Sequence, residues 1–334
     1  MAIRYILPMK TLKTCLSKKD VLSLIDVSSE EIFSILALAS RLKNESRRRE
    51  SDSLLKGKVL GMIFQKPSTR TRVSFETGMY QLGGSVIYLG TNDLQLVRGE
   101  SIEDTARSLS LYVNCIVARI YNHADIKIFA SYATVPVING LSDTFHPCQI
   151  LADLLTIQEH KKKLRGLNIT WIGDGNNVCN DLLLGCAKTG VNIAVACPHG
   201  FEPLDQVVRF GKREGQKTGS KITITDDPSI AVKNADVVVT DTFISIGRDD
   251  EKINRTRTFL PRYQVNSKLM HLAKKDAIFM HCLPATRGQE VTSEVIDGKA
   301  SVVWKEAENR LHVQKALISL LLNTKTRPFS VLRS

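Results

Sequence analysis

The stretch KVLGMIFQKPSTRTRVSFETGMYQLG, residues 58–83, carries three patterns in succession. KVLGMIF (58–64) is a short, near-continuous apolar run, as a parallel strand covered on both faces requires. RVSFETGMYQLG (72–83) has the spaced apolar residues of a helix with one buried face. Where the two meet, the ten residues KPSTRTRVSF (66–75) hold three cations (Lys66, Arg70, Arg72) and four hydroxyls (Ser68, Thr69, Thr71, Ser74). In a parallel α/β domain, ligands bind outside the carboxyl ends of the strands. A helix N-terminus there presents unpaired backbone N–H groups and the positive end of the helix dipole. Guanidinium forks and hydroxyls in the same place complete a cradle for an anion, a phosphate above all. Capping the helix needs only one serine, so the remaining donors point to a ligand. The segment lacks the G-x-x-x-x-G-K pattern of a nucleotide-binding P-loop.

The same alternation continues outward. SVIYLG (85–90), CIVARI (115–120) and VPVING (135–140) read as further strands of a first sheet. NITWIG (168–173), NIAVAC (192–197), ITITD (222–226), VVVTDT (237–242), AIFMHC (277–282) and ASVVW (300–304) read as a second. Helical patterns at SIEDTARSLSLYV (101–113) and VCNDLLLGCAKTG (178–190) lie between strands. Ser28 with Glu31 forms a capping box that opens a helix over about 29–44. HPCQILADLLTIQEHKKK (146–163) is a long connecting helix, and RLHVQKALISLLLN (310–323) a packed final one. The fold class is therefore α/β: two domains, each a parallel sheet flanked by helices, joined by long helices.

Composition sets the class. The chain has 334 residues, of which 43% are hydrophobic and 24% charged, as expected of a soluble protein with two cores. No run of about 18 apolar residues suggests a membrane span, and the start, MAIRYILPMK, lacks a clear signal peptide. Seven scattered cysteines (15, 115, 148, 179, 186, 197 and 282) without paired spacing argue against a disulfide framework and against a zinc site. A reduced cytoplasmic location fits. The net charge of +12 raises nucleic-acid binding, but the basic residues form no single tract with interleaved aromatics. A solvated surface plus an anion-seeking pocket accounts for them. Gly173-x-Gly175 follows a strand and opens a helix, yet Val178 stands where a dinucleotide fingerprint wants Gly or Ala.

Several ordered motifs carry a resemblance. Ser68-Thr69-Arg70-Thr71-Arg72 matches the S-T-R-T-R signature of the aspartate/ornithine carbamoyltransferase family. GESIEDTARSLS (99–110), Arg119 at the end of CIVARI, H-P-C-Q (146–149) and WIGDGNNV (171–178) follow in the family's order. So do D-T-F-I-S-I-G (241–247), similar to the ornithine-type D-x-x-x-S-M-G signature, H-C-L-P (281–284) and EAENR (306–310). The resemblance runs from about residue 10 to 323. Three positions depart from the pattern: Ile246 replaces Met, Phe243 replaces Trp, and Val97 in DLQLVRGE (93–100) replaces Gly.

The resemblance implies transfer of the carbamoyl group of carbamoyl phosphate to the δ-amine of L-ornithine, with no cofactor and no metal. It implies a carbamoyl phosphate domain over 1–148, with the helix 310–334 packing back on it, and an ornithine domain over 149–309. For carbamoyl phosphate it implies Ser68, Thr69, Arg70, Thr71, Arg72, Gln95, Arg119, His146, Gln149, Cys282, Leu283 and Arg310. For ornithine it implies Asn177, Asp241, Ser245 and Ile246, and for catalysis Arg119, His146, Asp241 and Cys282. It further implies a homotrimer with sites at subunit interfaces, Gln95 reaching across. The residue chemistry agrees: arginine and a His donor suit a developing oxyanion, and an acid at the end of VVVTD suits an ammonium, although Asp241 could instead cap the next loop. A Cys next to a His also suits a thiol hydrolase, but neighbours on a strand point to opposite faces, so His281 is badly placed as a base for Cys282. Rival expectations are another amine acceptor, such as putrescine or an acylated ornithine, an NAD-dependent dehydrogenase, and a basic nucleic-acid module.

Overall fold

The computed structural model describes residues 15–47, 53–244 and 251–322. The chain divides into two compact units. One comprises the residues up to Leu155 together with those from Arg310 on; the other is Thr156–Asn309.

The first unit begins with α1 (Ser29–Arg47). The expected capping box is present: the Ser28 N–H donates to Glu31 Oε2 (2.8 Å), and the Glu31 N–H donates to Ser28 Oγ (3.2 Å). Next come β1 (Val59–Phe64), α2 (Thr69–Gln81), β2 (Ser85–Gly90), α3 (Ile102–Ser110), β3 (Cys115–Arg119), α4 (His123–Tyr132) and β4 (Val137–Leu141). The four strands are parallel, in the order β2-β1-β3-β4. β1 and β3 are buried at nearly every position, because helices cover both faces. Ile63, Ile116, Ile126, Phe129 and Val137 belong to one apolar core. Consecutive strands leave β1 in opposite directions, so the switch point lies between β1 and β3. Crevices for ligands form at such points, beyond the carboxyl ends. The β3–β4 register slips between Ala118 and Arg119, and such irregularities re-aim a side chain.

Two helices cross from one unit to the other along the chain. They are α5 (Pro147–Lys161) and, at the other end, α12 (Val303–Leu321). The second unit contains β5 (Asn168–Ile172), α6 (Asn177–Thr189), β6 (Asn192–Ala196), α7 (Asp205–Thr218), β7 (Ile222–Thr225), α8 (Pro228–Ala231), β8 (Val237–Thr240), α9 (Lys252–Phe259), α10 (Ser267–Met270), β9 (Ile278–His281) and α11 (Ser293–Ile296). Its sheet is again parallel, in the order β7-β6-β5-β8-β9, which places the switch between β5 and β8. Phe243 is fully buried and stacks on Phe259, with ring centroids 4.6 Å apart. The departure from Trp at this position is thus a packing choice.

One expected strand is absent. ASVVW (300–304) makes a single bridge between Phe279 and Ser301, and helix α12 already starts at Val303, seven residues before the expected start. The apolar pair Val302-Val303 is too short to extend the ladder. The Val302 carbonyl instead accepts the N–H groups of Lys305 and Glu306 and starts the helix. Gly175 also has a packing reason: a Cβ there would lie 2.2 Å from the Pro203 nitrogen and 2.4 Å from the Glu202 carbonyl carbon.

Candidate active site

The site of the first unit is built on the end of β1. Ser68 caps α2; its Oγ accepts the Thr71 N–H (3.2 Å) and donates to Thr71 Oγ1 (3.1 Å). The first turn of α2 contains no acidic residue. Arg70 instead places a cation at the positive end of the dipole, an arrangement that costs stability until an anion occupies it. Thr71 is fully buried, and its Oγ1 also accepts from Arg310 Nη2 at 2.7 Å. Arg310 Nη1 donates to Gln149 Oε1 (3.0 Å), and Gln149 Nε2 donates to Asp153 Oδ1 (2.9 Å). Residues 68, 71, 149 and 310 thus form one hydrogen-bonded set.

Arg119 ends β3, across the switch point from β1, where its Nε donates to the Lys66 carbonyl (3.2 Å). His146 precedes α5 and is buried. Burial first, and then the cationic fields of Arg310, Arg119 and Arg70, hold its pKa well below the ordinary 6.5. It is therefore a neutral imidazole, able to donate one hydrogen bond without bringing a fourth cation. The loop before it is held by buried Asn139, whose Nδ2 donates to the carbonyls of Leu22 (2.9 Å) and Phe145 (3.2 Å). His123 Nδ1 lies 3.0 Å from Ser142 Oγ in the same loop.

Three predicted anion contacts lie apart from this set. Arg72 is exposed; its Nε donates to Glu76 (2.9 Å) and its guanidinium covers the Tyr88 ring at 3.7 Å. Gln95 is exposed on a short 3₁₀ turn, Gln95–Arg98. Thr69 is exposed at the first position of α2.

The site of the second unit spans its switch point. Asp241 follows β8 and is buried. Its Oδ2 accepts from Asn176 Nδ2 (2.8 Å), and its Oδ1 accepts the Thr242 N–H (2.8 Å) and Cys282 Sγ (3.1 Å). At that distance a thiolate and a carboxylate would repel strongly, so the thiol proton bridges them. The residue bonded to Asp241 is Asn176, the cap of α6. The predicted Asn177 is the first residue of that helix, and its Oδ1 accepts the Val178 N–H (3.1 Å). Leu283 has φ = 57°, a left-handed conformation that costs a non-glycine residue about 1–2 kcal/mol. Ser245 and Ile246 lie outside the described residues.

One contributor carried only a weak local signal, the four-residue spacing of Glu251 and Arg255. Arg255, buried on α9, donates to Asp174 Oδ2 (2.6 Å), Glu251 Oε2 (2.6 Å) and the Phe243 carbonyl (3.0 Å). It ties the Gly173–Asn177 turn to the residues on either side of 245–250. Asp241, His281 and Cys282 bring their ligand atoms within 4.8 Å of one another. Both His281 nitrogens are engaged elsewhere: Nδ1 accepts the Leu283 N–H (2.9 Å), and Nε2 lies 3.2 Å from Glu290 Oε1.

Two parallel α/β units, one with a cationic, hydroxyl-rich helix start and the other with an acid–thiol pair at its strand ends, define a group-transfer enzyme. The carbamoyl-P binding domain of aspartate/ornithine carbamoyltransferases matches residues 19–159, and the Asp/Orn binding domain of the same proteins matches 165–321. The ornithine carbamoyltransferase of Carboxydothermus hydrogenoformans is 55% identical over 304 residues, covering 91% of this chain and 97% of that one. That of Bacillus subtilis is 51% identical over 310 residues, covering 93% and 96%. The solved structure of ornithine carbamoyltransferase from Pyrococcus furiosus superposes with a TM-score of 0.89 at 50% identity, covering 92% of this chain and 97% of that one. The chain belongs to the aspartate/ornithine carbamoyltransferase family.

Proposed function

We propose that this chain transfers the carbamoyl group of carbamoyl phosphate to the δ-amine of L-ornithine, giving L-citrulline and phosphate. The observation that carries the reading is the convergence of Arg70, Arg119 and Arg310 on a neutral, buried His146 beside the Ser68–Thr71 helix start. Fixed cations and N–H donors of that kind suit a dianionic phosphate. In this reading Ser68, Thr69, Arg70, Thr71 and Arg310 hold the phosphate. Arg119 and His146 donate to the carbonyl oxygen, which gains negative charge when the amine attacks. Gln149 is held rigidly between Arg310 and Asp153 and orients the carbamoyl end.

Asp241 pairs with the ammonium of ornithine, beside the Cys282 thiol. The neutral δ-amine forms the new C–N bond, the C–O bond to phosphate breaks, and the amine proton leaves with the phosphate. This chemistry calls for neither metal nor cofactor.

The reading includes a homotrimer with Gln95 facing a neighbouring copy. Exposed apolar residues on the first unit, among them Tyr80, Ile87, Leu111 and Tyr112, support an interface with another chain. It also includes a cytoplasmic location, supported by seven cysteines that are not joined in disulfides. Among the described residues no helix is long and apolar enough to cross a membrane.

The test is a citrulline assay with carbamoyl phosphate and a panel of amines, run beside light scattering for oligomer mass. L-ornithine should be the preferred acceptor. Preference for putrescine or an acylated ornithine would overturn the assignment of the acceptor.

A further inference from the structure

Asp241 and Cys282 sit at strand ends, and the chain after Cys282 turns at once through a left-handed residue, Leu283. A leucine stays in that conformation only where its surroundings hold it. The Leu283 N–H donates to Nδ1 of His281, the last residue of β9, at 2.9 Å. A ring nitrogen that accepts carries no proton, so the His281 proton is on Nε2. That nitrogen lies 3.2 Å from Glu290 Oε1, and both side chains are fully buried. The same Oε1 accepts the Thr286 N–H at 2.6 Å, while the Glu290 Oε2 is buried without a hydrogen bond. One carboxylate oxygen thus ties His281 to the chain on the far side of the turn. Burying a carboxylate in this way is costly, and the turn it braces starts at the thiol bonded to Asp241.

We propose that Glu290 is a positioning residue for the amine acceptor. Through the His281 ring it holds the left-handed turn at Leu283 and so fixes Cys282 against Asp241. Without the Glu290 oxygen the ring is free to carry its proton on Nδ1, which would break the Leu283 bond. The turn could then relax to an ordinary φ and draw Cys282 away from Asp241. The kinetic part of the inference rests on the ornithine reading above.

The test uses the full chain, with steady-state kinetics for both substrates and ¹⁵N-histidine NMR of the free protein. In Glu290→Ala the KM for ornithine should rise about tenfold or more, and several-fold further than the KM for carbamoyl phosphate, for which the resemblance also implies Cys282 and Leu283. Glu290→Gln keeps an acceptor oxygen in place and should recover the ornithine KM to within about threefold. If the alanine variant does not fold, Glu290→Asp, one methylene short of the ring, should show the same ornithine-selective loss. By NMR, wild-type His281 should be the Nε2–H tautomer, and the Glu290→Ala spectrum should lose that form. An unchanged ornithine KM, an equal rise in both KM values, or a wild-type His281 that is charged or protonated on Nδ1 would overturn the proposal. If the wild-type chain carbamoylates no amine, the ornithine reading falls alone. The NMR comparison still decides the relay, and an alanine variant with wild-type His281 and Leu283 signals refutes it.

Discussion

Replacing Asp241 with asparagine preserves shape, removes a charge and leaves the new amide no satisfactory orientation. The Asp241 oxygens accept from Asn176 Nδ2 on one side and from the Thr242 N–H and Cys282 on the other. Asn176 cannot turn its own amide over, because its Oδ1 caps α6 by accepting the N–H groups of Val178 (3.0 Å) and Cys179 (3.1 Å). The new NH₂ therefore meets a donor whichever way it points. Losing one bond to a charged acceptor costs about 1.5–3 kcal/mol. The larger effect falls on the ligand: a carboxylate about 4 Å from an ammonium, at an effective dielectric of about 20, is worth about 4 kcal/mol. Solvent screening lowers that figure, so the KM for ornithine should rise about 100- to 1,000-fold while that for carbamoyl phosphate stays within about threefold. Initial rates with each substrate varied in turn measure both, and a thermal melt checks that the variant is folded. A folded Asp241→Asn whose two KM values rise equally, or whose ornithine KM moves less than about threefold, would refute the charge-pairing role.

Arg70→Ala should raise the KM for carbamoyl phosphate about 10- to 100-fold without lowering Tm, since it removes a cation from the positive end of α2. Unchanged carbamoyl phosphate kinetics would remove the cradle. Arg72→Ala is the contrast: its guanidinium is occupied by Glu76 and Tyr88, so the same KM should move less than about twofold in steady-state assays. Stability should also fall in acid. His123 is held down to about 4, by burial first and then by Lys127, and His146 well below its ordinary 6.5. The unfolded chain therefore binds these protons first. Tm should be level above the unfolded value of about 6.5 and fall as pH drops toward 4, less steeply in His123→Gln. Identical slopes in the two proteins would rule out the contribution of His123.

Much of the fold was legible because its signals are short-range. Strand β1, the Ser68 cap and helix α2 follow from an apolar run, a hydroxyl and a 3.6-residue period within 25 positions of one another. The Ser28–Glu31 box is equally local. The strand expected at 300–304 failed because two valines resemble a ladder until the helix-forming EAENR beyond them competes for the same carbonyls. Arg72 belonged to the right pentamer, but the turn of α2 carries it to Glu76, one helical turn away. Asn176 and Asn177 are indistinguishable as letters; only the cap geometry aims the first at Asp241. Arg255 showed only its four-residue spacing from Glu251, since Asp174 becomes its neighbour only after 81 residues of chain, and Glu290 meets the His281 ring only across the turn.

The sequence by itself determined which chemistry stands at the end of each strand, because steric periods and capping act over a few residues. Only the tertiary structure decided which strand ends share a site. The β1/β3 and β5/β8 switch points bring Arg119 to Lys66 and Asp241 to Asn176 across more than fifty residues of chain. Side-by-side pairing of strands distant along the chain depends on which apolar faces close a core together, and no local period encodes that.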